Sequence, residues 1–146
     1  IKAYSFEVKE FGNKAAYEEA LLQLLQEQEI DLIVLAGYMR IIGQTLLSHY
    51  SNRILNIHPS LLPSFPGLHG IKDAYEYGVK VTGVTVHLVD DGVDTGPIIA
   101  QEPVMILPED TLESLEEKIH QTEHRLYPKV LRDVLLQSEK NKSKGE

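Results

Sequence analysis

Ile54-Leu55-Asn56-Ile57-His58-Pro59 is a short apolar run broken by one amide and stopped by a histidine and a proline. Closed by a residue with no backbone N–H to donate, it reads as a buried strand entering a fixed turn. A second run, Leu32-Ile33-Val34-Leu35-Ala36, lies upstream and ends at Gly37. Apolar strands without alternation belong to parallel sheets covered on both faces. Before it, Asn13 is placed to cap a helix in which Ala16, Ala20, Leu21, Leu24 and Leu25 recur at helical spacing until Gln28. Helix followed by buried strand, repeated along the chain, predicts an α/β domain: an open, mostly parallel sheet flanked by helices, Rossmann-like in plan.

Outward from this centre the signals continue. Ile1 to Val8 alternates weakly and suggests a short strand, and Gln44 to Tyr50 can form two helical turns. His58 to Gly70 holds three prolines, two glycines and two histidines, the composition of a loop with fixed turns. Ile71 to Tyr77 reads as a helix closed by Gly78. From Thr82 to Val89 the residues alternate, with Val84, Val86 and Leu88 on one face and Thr85 and His87 on the other. Asp90 to Pro97 is turn chemistry, and Ile98 to Ile106 is a further strand. Leu112, Leu115, Ile119, Leu126, Val130, Val134 and Leu135 mark a final helix that Pro128 is expected to kink or divide. Residues 138–146 carry charge and no apolar side chain, so the domain is expected to span 1–137 with a disordered tail beyond it.

Composition narrows the function. The chain has 146 residues, enough for one domain, and a net charge of -8 with only 14 Lys and Arg, which argues against a phosphate-neutralising nucleic-acid binder. Without cysteine there is no disulfide, thiolate nucleophile or sulfur-ligated metal, which suits the cytoplasm. No apolar run reaches the roughly 18 residues of a membrane span. Histidines and aspartates are present, but none at the spacing of a zincin helix or an EF-hand loop, so no metal is expected.

If the ends of three strands converge, Asn56, His58 and Asp94 form a constellation. The Asn56 amide and a protonated His58 are two donors able to hold an oxygen that gains negative charge during acyl transfer. Asp94 can accept from the other imidazole nitrogen, fixing the tautomer and favouring the imidazolium. No nucleophile belongs to the set, and Ser60 and Ser64 lie outside any Gly-x-Ser-x-Gly elbow, so direct transfer between two bound substrates fits best. Each residue also has a plainer reading. His58 can be a loop histidine held by local bonds, Asn56 can tie down the following turn, Asp90, Asp91 and Asp94 can be solvated turns, and Glu123 a solvated helix face.

The sixteen residues from Ile54 to His69, ILNIHPSLLPSFPGLH, resemble the signature of the folate-dependent formyltransferase family in its phosphoribosylglycinamide branch. The likeness extends through Ala36 to Arg40, Thr82 to His87, Asp94 to Ile99, Thr122 to His124 and Tyr127-Pro128. It implies transfer of the formyl group of 10-formyltetrahydrofolate to the amine of phosphoribosylglycinamide, in purine synthesis. It implies that Asn56 and His58 polarise the formyl oxygen and that Asp94 holds His58 protonated. It further implies folate contacts from Lys14, Met39, Arg40, Ile41, Ile42 and Asn56 and from Asp90, Asp91, Gly92, Val93 and Asp94, with Glu123 on the ribonucleotide. The partners are small molecules, with no nucleic acid or membrane, and assembly into a homo-oligomer is left open. Lys14 stands where relatives often carry arginine and lacks the bidentate fork. The family opens on a strand and a glycine-rich phosphate-binding turn without counterpart here, so the resemblance implies a domain incomplete at its N-terminus. Two rivals remain. One is an enzyme like the formyltransferase of initiator methionyl-tRNA; the other is a non-catalytic folate or nucleotide binder.

Overall fold

The computed structural model describes residues 2–7, 10–38 and 40–144, with side chains to 140. Its elements run α1 (Lys14–Glu27), β1 (Ile33–Val34), α2 (Gln44–Leu47), β2 (Ile54–His58), α3 (Gly70–Tyr77), β3 (Val81–Leu88), β4 (Ile98–Met105) and α4 (Leu112–Lys144). The four strands form one open sheet in the order β1-β2-β3-β4. The α/β plan with flanking helices is as the sequence predicts, but the sheet is mixed and not mostly parallel. β1 and β2 are parallel, whereas β2 with β3 and β3 with β4 are antiparallel. Alternation in β3 records its two faces and is silent on its direction.

Local chemistry explains the helices. Asn13 accepts the N–H of Ala16 at 2.8 Å, satisfying one of the orphan donors at the start of α1. Gly78 ends α3 in the left-handed conformation, at φ 88°. In α1 the buried positions are Leu22 and, against expectation, Glu18. The Glu18 carboxylate accepts the N–H of Gly43 at 2.8 Å, which ties α1 to the start of α2 and compensates its burial.

Register fixes the two sides of the sheet. Leu55 lies opposite Leu88 and Ile57 opposite Val86, whereas Asn56 lies opposite His87 and His58 opposite Thr85. Since residues two apart share a face, β2 and β3 present one apolar and one polar face. The apolar face packs on α4: Leu55, Val84, Val86 and Val104 form a core with Leu115, Ile119, Leu126 and Val130. A second cluster, Leu22, Ile42, Leu46, Tyr50 and Ile54, joins α1 and α2 to β1 and the start of β2.

Several expectations shift. β1 has only two residues, and Val34 is 40% exposed, so it is not buried on both faces. Among the described residues it stands at one edge of the sheet and pairs with β2 alone. Residues 2–7 form no strand, while Ile1 and Val8 lie outside the described residues. α4 continues through Pro128 as one helix, with Leu126 and Val130 buried on either side of it. It also continues from Ser138 to Lys144, over residues expected to be disordered. Glu139 and the lysines of that stretch are good helix formers and suit a continued helix. Among the described residues no helix is long and apolar enough to cross a membrane.

Candidate active site

Four polar side chains, Asn56, His58, Thr85 and His87, stand side by side on the face of β2 and β3 opposite α4. His58, Thr85 and His87 are buried and Asn56 is half-buried. Buried polar groups on this scale need partners, and the loop after β2 supplies them. Thr85 Oγ1 donates to the Ser60 carbonyl at 2.7 Å, and accepts from the Leu62 N–H at 3.1 Å and from Gln101 Nε2 at 3.0 Å. Ser60 Oγ donates to the carbonyls of Ser64 and Phe65, so its proton is already engaged. That removes the nearest serine as a nucleophile and leaves the site with donors and a carboxylate.

Asp94 arrives by a route the sequence does not reveal. β3 is antiparallel to β2, so its carboxyl end at Leu88 lies beside Leu55, the wrong end of β2 for a residue that must reach His58. The chain then doubles back through residues 89–97, with the Leu88 N–H donating to the Pro97 carbonyl at 2.9 Å. Gly96 is required there, because a Cβ would stand 1.7 Å from the Leu88 carbonyl oxygen. Within the loop, Asp90 Oδ1 accepts from Thr95 Oγ1 at 2.7 Å and from the Gly92 N–H at 2.9 Å. These bonds, the Thr95 hydroxyl first, hold the Asp90 carboxyl below its usual range. Asp94 itself takes a positive φ of 55° and accepts the N–H of Gly67 at 2.9 Å. The expected convergence of three parallel strand ends is therefore replaced by a folded-back loop laid on the polar face.

The Asp94 carboxylate stands between two imidazoles. Oδ2 is 3.5 Å from His58 Nδ1, and Oδ1 is 3.7 Å from His87 Nε2. His58 Nε2 donates to the Phe65 carbonyl at 2.8 Å. Because a carbonyl can only accept, this nitrogen carries the proton, and a further proton on Nδ1 would point at Asp94. Both ring nitrogens of His58 are thus committed, and the Asn56 amide is the donor most available to a substrate oxygen. Asn56 Nδ2 lies 3.4 Å from His87 Nε2.

The remaining expected residues are distributed around this centre. Lys14 opens α1 with Nζ 3.9 Å from Glu18. Arg40 and Ile41 are exposed at the surface after β1, whereas Ile42 is buried in the second apolar cluster. Met39 lies outside the described residues. Asp91 and Val93 are exposed at the tip of the folded-back loop. Glu123, half-buried on α4, has its carboxyl raised by desolvation, opposed by the positive fields of His120, His124 and His58. His58 is thus among the groups that act on the Glu123 carboxyl. Gly67, Phe65 and His87 were not among the expected site residues. The signal for His87 was present: a histidine two residues from a threonine, on a strand whose other face carries Val84, Val86 and Leu88.

The chain is similar to known proteins in both sequence and fold. The family profile described as Formyl transferase matches residues 1–131. The phosphoribosylglycinamide formyltransferase of Bacillus subtilis (strain 168) is 53% identical over 135 residues, which cover 92% of this chain and 69% of that protein. Among solved structures, phosphoribosylglycinamide formyltransferase from Streptococcus pneumoniae TIGR4 superposes with a TM-score of 0.89 at 56% identity, over 90% of this chain and 73% of that one. Glycinamide ribonucleotide transformylase 1 from Geobacillus kaustophilus gives 0.90 at 57% identity, over 92% and 72%.

Proposed function

This chain belongs to the formyl transferase family, and from that premise we propose that it transfers the formyl group of 10-formyltetrahydrofolate to the amine of phosphoribosylglycinamide. The single observation that carries the assignment to this face is the Asp94 carboxylate 3.5 Å from His58, beside the Asn56 amide. The amine lone pair attacks the formyl carbon, the carbonyl oxygen takes up negative charge, and the C–N bond to the folate breaks. The amine gives up one proton and the departing folate nitrogen gains one, so the products are the N-formyl ribonucleotide and tetrahydrofolate.

Asn56 donates to the oxygen as its charge grows, which is where a fixed donor lowers the barrier most. His58 reaches the same oxygen through Nε2 by exchanging the Phe65 carbonyl for it, since the two acceptors compete for one N–H. Asp94 holds the far side of the ring and, through water, takes the amine proton. The Ser60 hydroxyl, bonded to two carbonyls, supports direct transfer without an acyl-enzyme.

The donor set suits a formyl folate. Arg40 and Ile41, exposed after β1, and the loop from Asp90 to Asp94 line its pterin, with Lys14 beyond them. Glu123 contacts the ribonucleotide. The absence of cysteine accords with a cytoplasmic setting. The test is a steady-state assay of the purified protein with 10-formyltetrahydrofolate and phosphoribosylglycinamide, run beside formylation of initiator methionyl-tRNA. Tetrahydrofolate release with the ribonucleotide alone is expected. Activity with the tRNA alone, or folate binding with neither reaction, overturns the assignment.

A further inference from the structure

We infer that His87 is a positioning residue for Asn56: its unprotonated Nε2 decides which way round the Asn56 amide stands. The inference rests on the formyl-transfer reading for its kinetic consequence, but not for its geometry. His87 is 2% exposed, and its ring makes two polar approaches on its own strand pair. Nδ1 lies 3.0 Å from the Leu88 carbonyl oxygen. That oxygen accepts only, so Nδ1 carries the proton, and in the neutral ring Nε2 presents a lone pair.

The lone pair faces Asn56 Nδ2 at 3.4 Å. An asparagine amide has nearly the same shape either way round, and packing alone does not choose between the two. Chemistry chooses here, because an amide nitrogen facing Nε2 donates to it, whereas an amide oxygen would set lone pair against lone pair. The amide nitrogen carries two hydrogens, so one held by His87 leaves a second for the formyl oxygen. Turned round, Asn56 would offer an acceptor where the oxyanion needs a donor.

Asp94 sets the limit of this arrangement. Its Oδ1 is 3.7 Å from the same Nε2, so a proton placed there would be drawn to the carboxylate and Asn56 would lose its acceptor. His58 faces the other carboxylate oxygen. The constellation therefore sets one carboxylate between two imidazoles: His58 turns Nδ1 toward Asp94, and His87 keeps Nε2 bare for Asn56.

Two measurements decide it. In the wild-type protein, long-range 1H–15N correlation at neutral pH reads the His87 tautomer directly. A proton on Nδ1 with Nε2 bare is expected; a proton on Nε2 overturns the inference whether or not the protein transfers formyl groups. In kinetics, His87→Leu is expected to lower kcat about tenfold or more while KM for the folate stays within about threefold, the signature of a lost transition-state interaction. His87→Gln, which keeps an acceptor, should recover most of that loss. Combined with Asn56→Ala, His87→Leu should cost little further, because the interaction is already gone. Fully multiplicative losses would reduce His87 to a packing residue. If His87→Leu does not fold, the tautomer and the Gln variant still give the answer. A wild-type protein without formyl transfer sinks the functional assignment and leaves the tautomer result standing.

Discussion

On one face of β2 and β3, Leu55, Val84 and Val86 are fully buried against the apolar side of α4. On the other, the same strands turn Asn56, His58, Thr85 and His87 toward a hydrogen-bonded loop and a carboxylate. The backbone ladder is shared, and one residue of register separates the two environments. On the proposed assignment, stability and chemistry are carried by alternate residues of the same strands, and the two should be separable by substitution.

The largest expected effect is on the apolar side. Leu55→Ala should cost about 2–5 kcal/mol of stability by loss of burial and by leaving a cavity. Its folded fraction should keep kcat within about twofold, since the side chain points away from the reaction. Denaturant unfolding and an assay on the same preparation check this; a stable variant with lost turnover would show that the faces are not independent. Across the sheet, Asn56→Ala should lower turnover about a hundredfold, roughly 2.7 kcal/mol of barrier, with His58→Ala at least as severe. Both should keep folate affinity within a few-fold, and near-normal turnover in either would displace the site. Thr85→Val puts an apolar group on the polar face and sharpens the comparison. It strands the Leu62 N–H and frees Gln101, so a loss of about 1–3 kcal/mol is expected despite the gain in hydrophobicity. An unchanged melting temperature would mean that the loop does not depend on that hydroxyl.

The smallest effect is a pH dependence. The folded state holds the Asp90 carboxyl below its ordinary value, so it binds fewer protons there than the unfolded chain does. The stability this gives is present above the ordinary aspartate range near 4 and is lost as pH falls through the lower folded value. Thr95→Val removes the largest cause and should flatten this part of the melting profile between about pH 6 and about pH 3. A profile that keeps its slope would show that the Gly92 N–H suffices.

What the sequence disclosed follows the same division. The Asn13 cap, the Gly78 stop and the alternation of β3 are local signals, and each element they define is in place. The signature from Asn56 to His69 named residues that the fold brings together, because a strand spacing of two sets Asn56 and His58 on one face. Direction was not encoded. Nothing in the residues from Thr82 to Val89 distinguishes a parallel strand from an antiparallel one, so the path of Asp94 to His58 was misjudged although its destination was right. Lone apolar runs also say nothing about how many neighbours a strand has, and among the described residues β1 pairs with β2 alone. His87 went unread because its role depends on the partner strand, and Asn56 is its neighbour only once β2 and β3 are in register.

The loop that delivers Asp94 is closed on itself at Leu88 and Pro97, and cross-braced by Asp90, Gly92 and Thr95. Its anchors are few and fixed: Gly96 admits no side chain, and a Cβ on Gly92 would strike Thr95. Asp91 and Val93, exposed at the tip, take no part in that bracing. For inheritance this is a permissive design. On the folate contact proposed above, substitution can accumulate at the tip and alter what is accepted there, while the acid keeps its address beside His58. A lineage could in this way change its preferences for the donor many times over without once having to rebuild the chemistry.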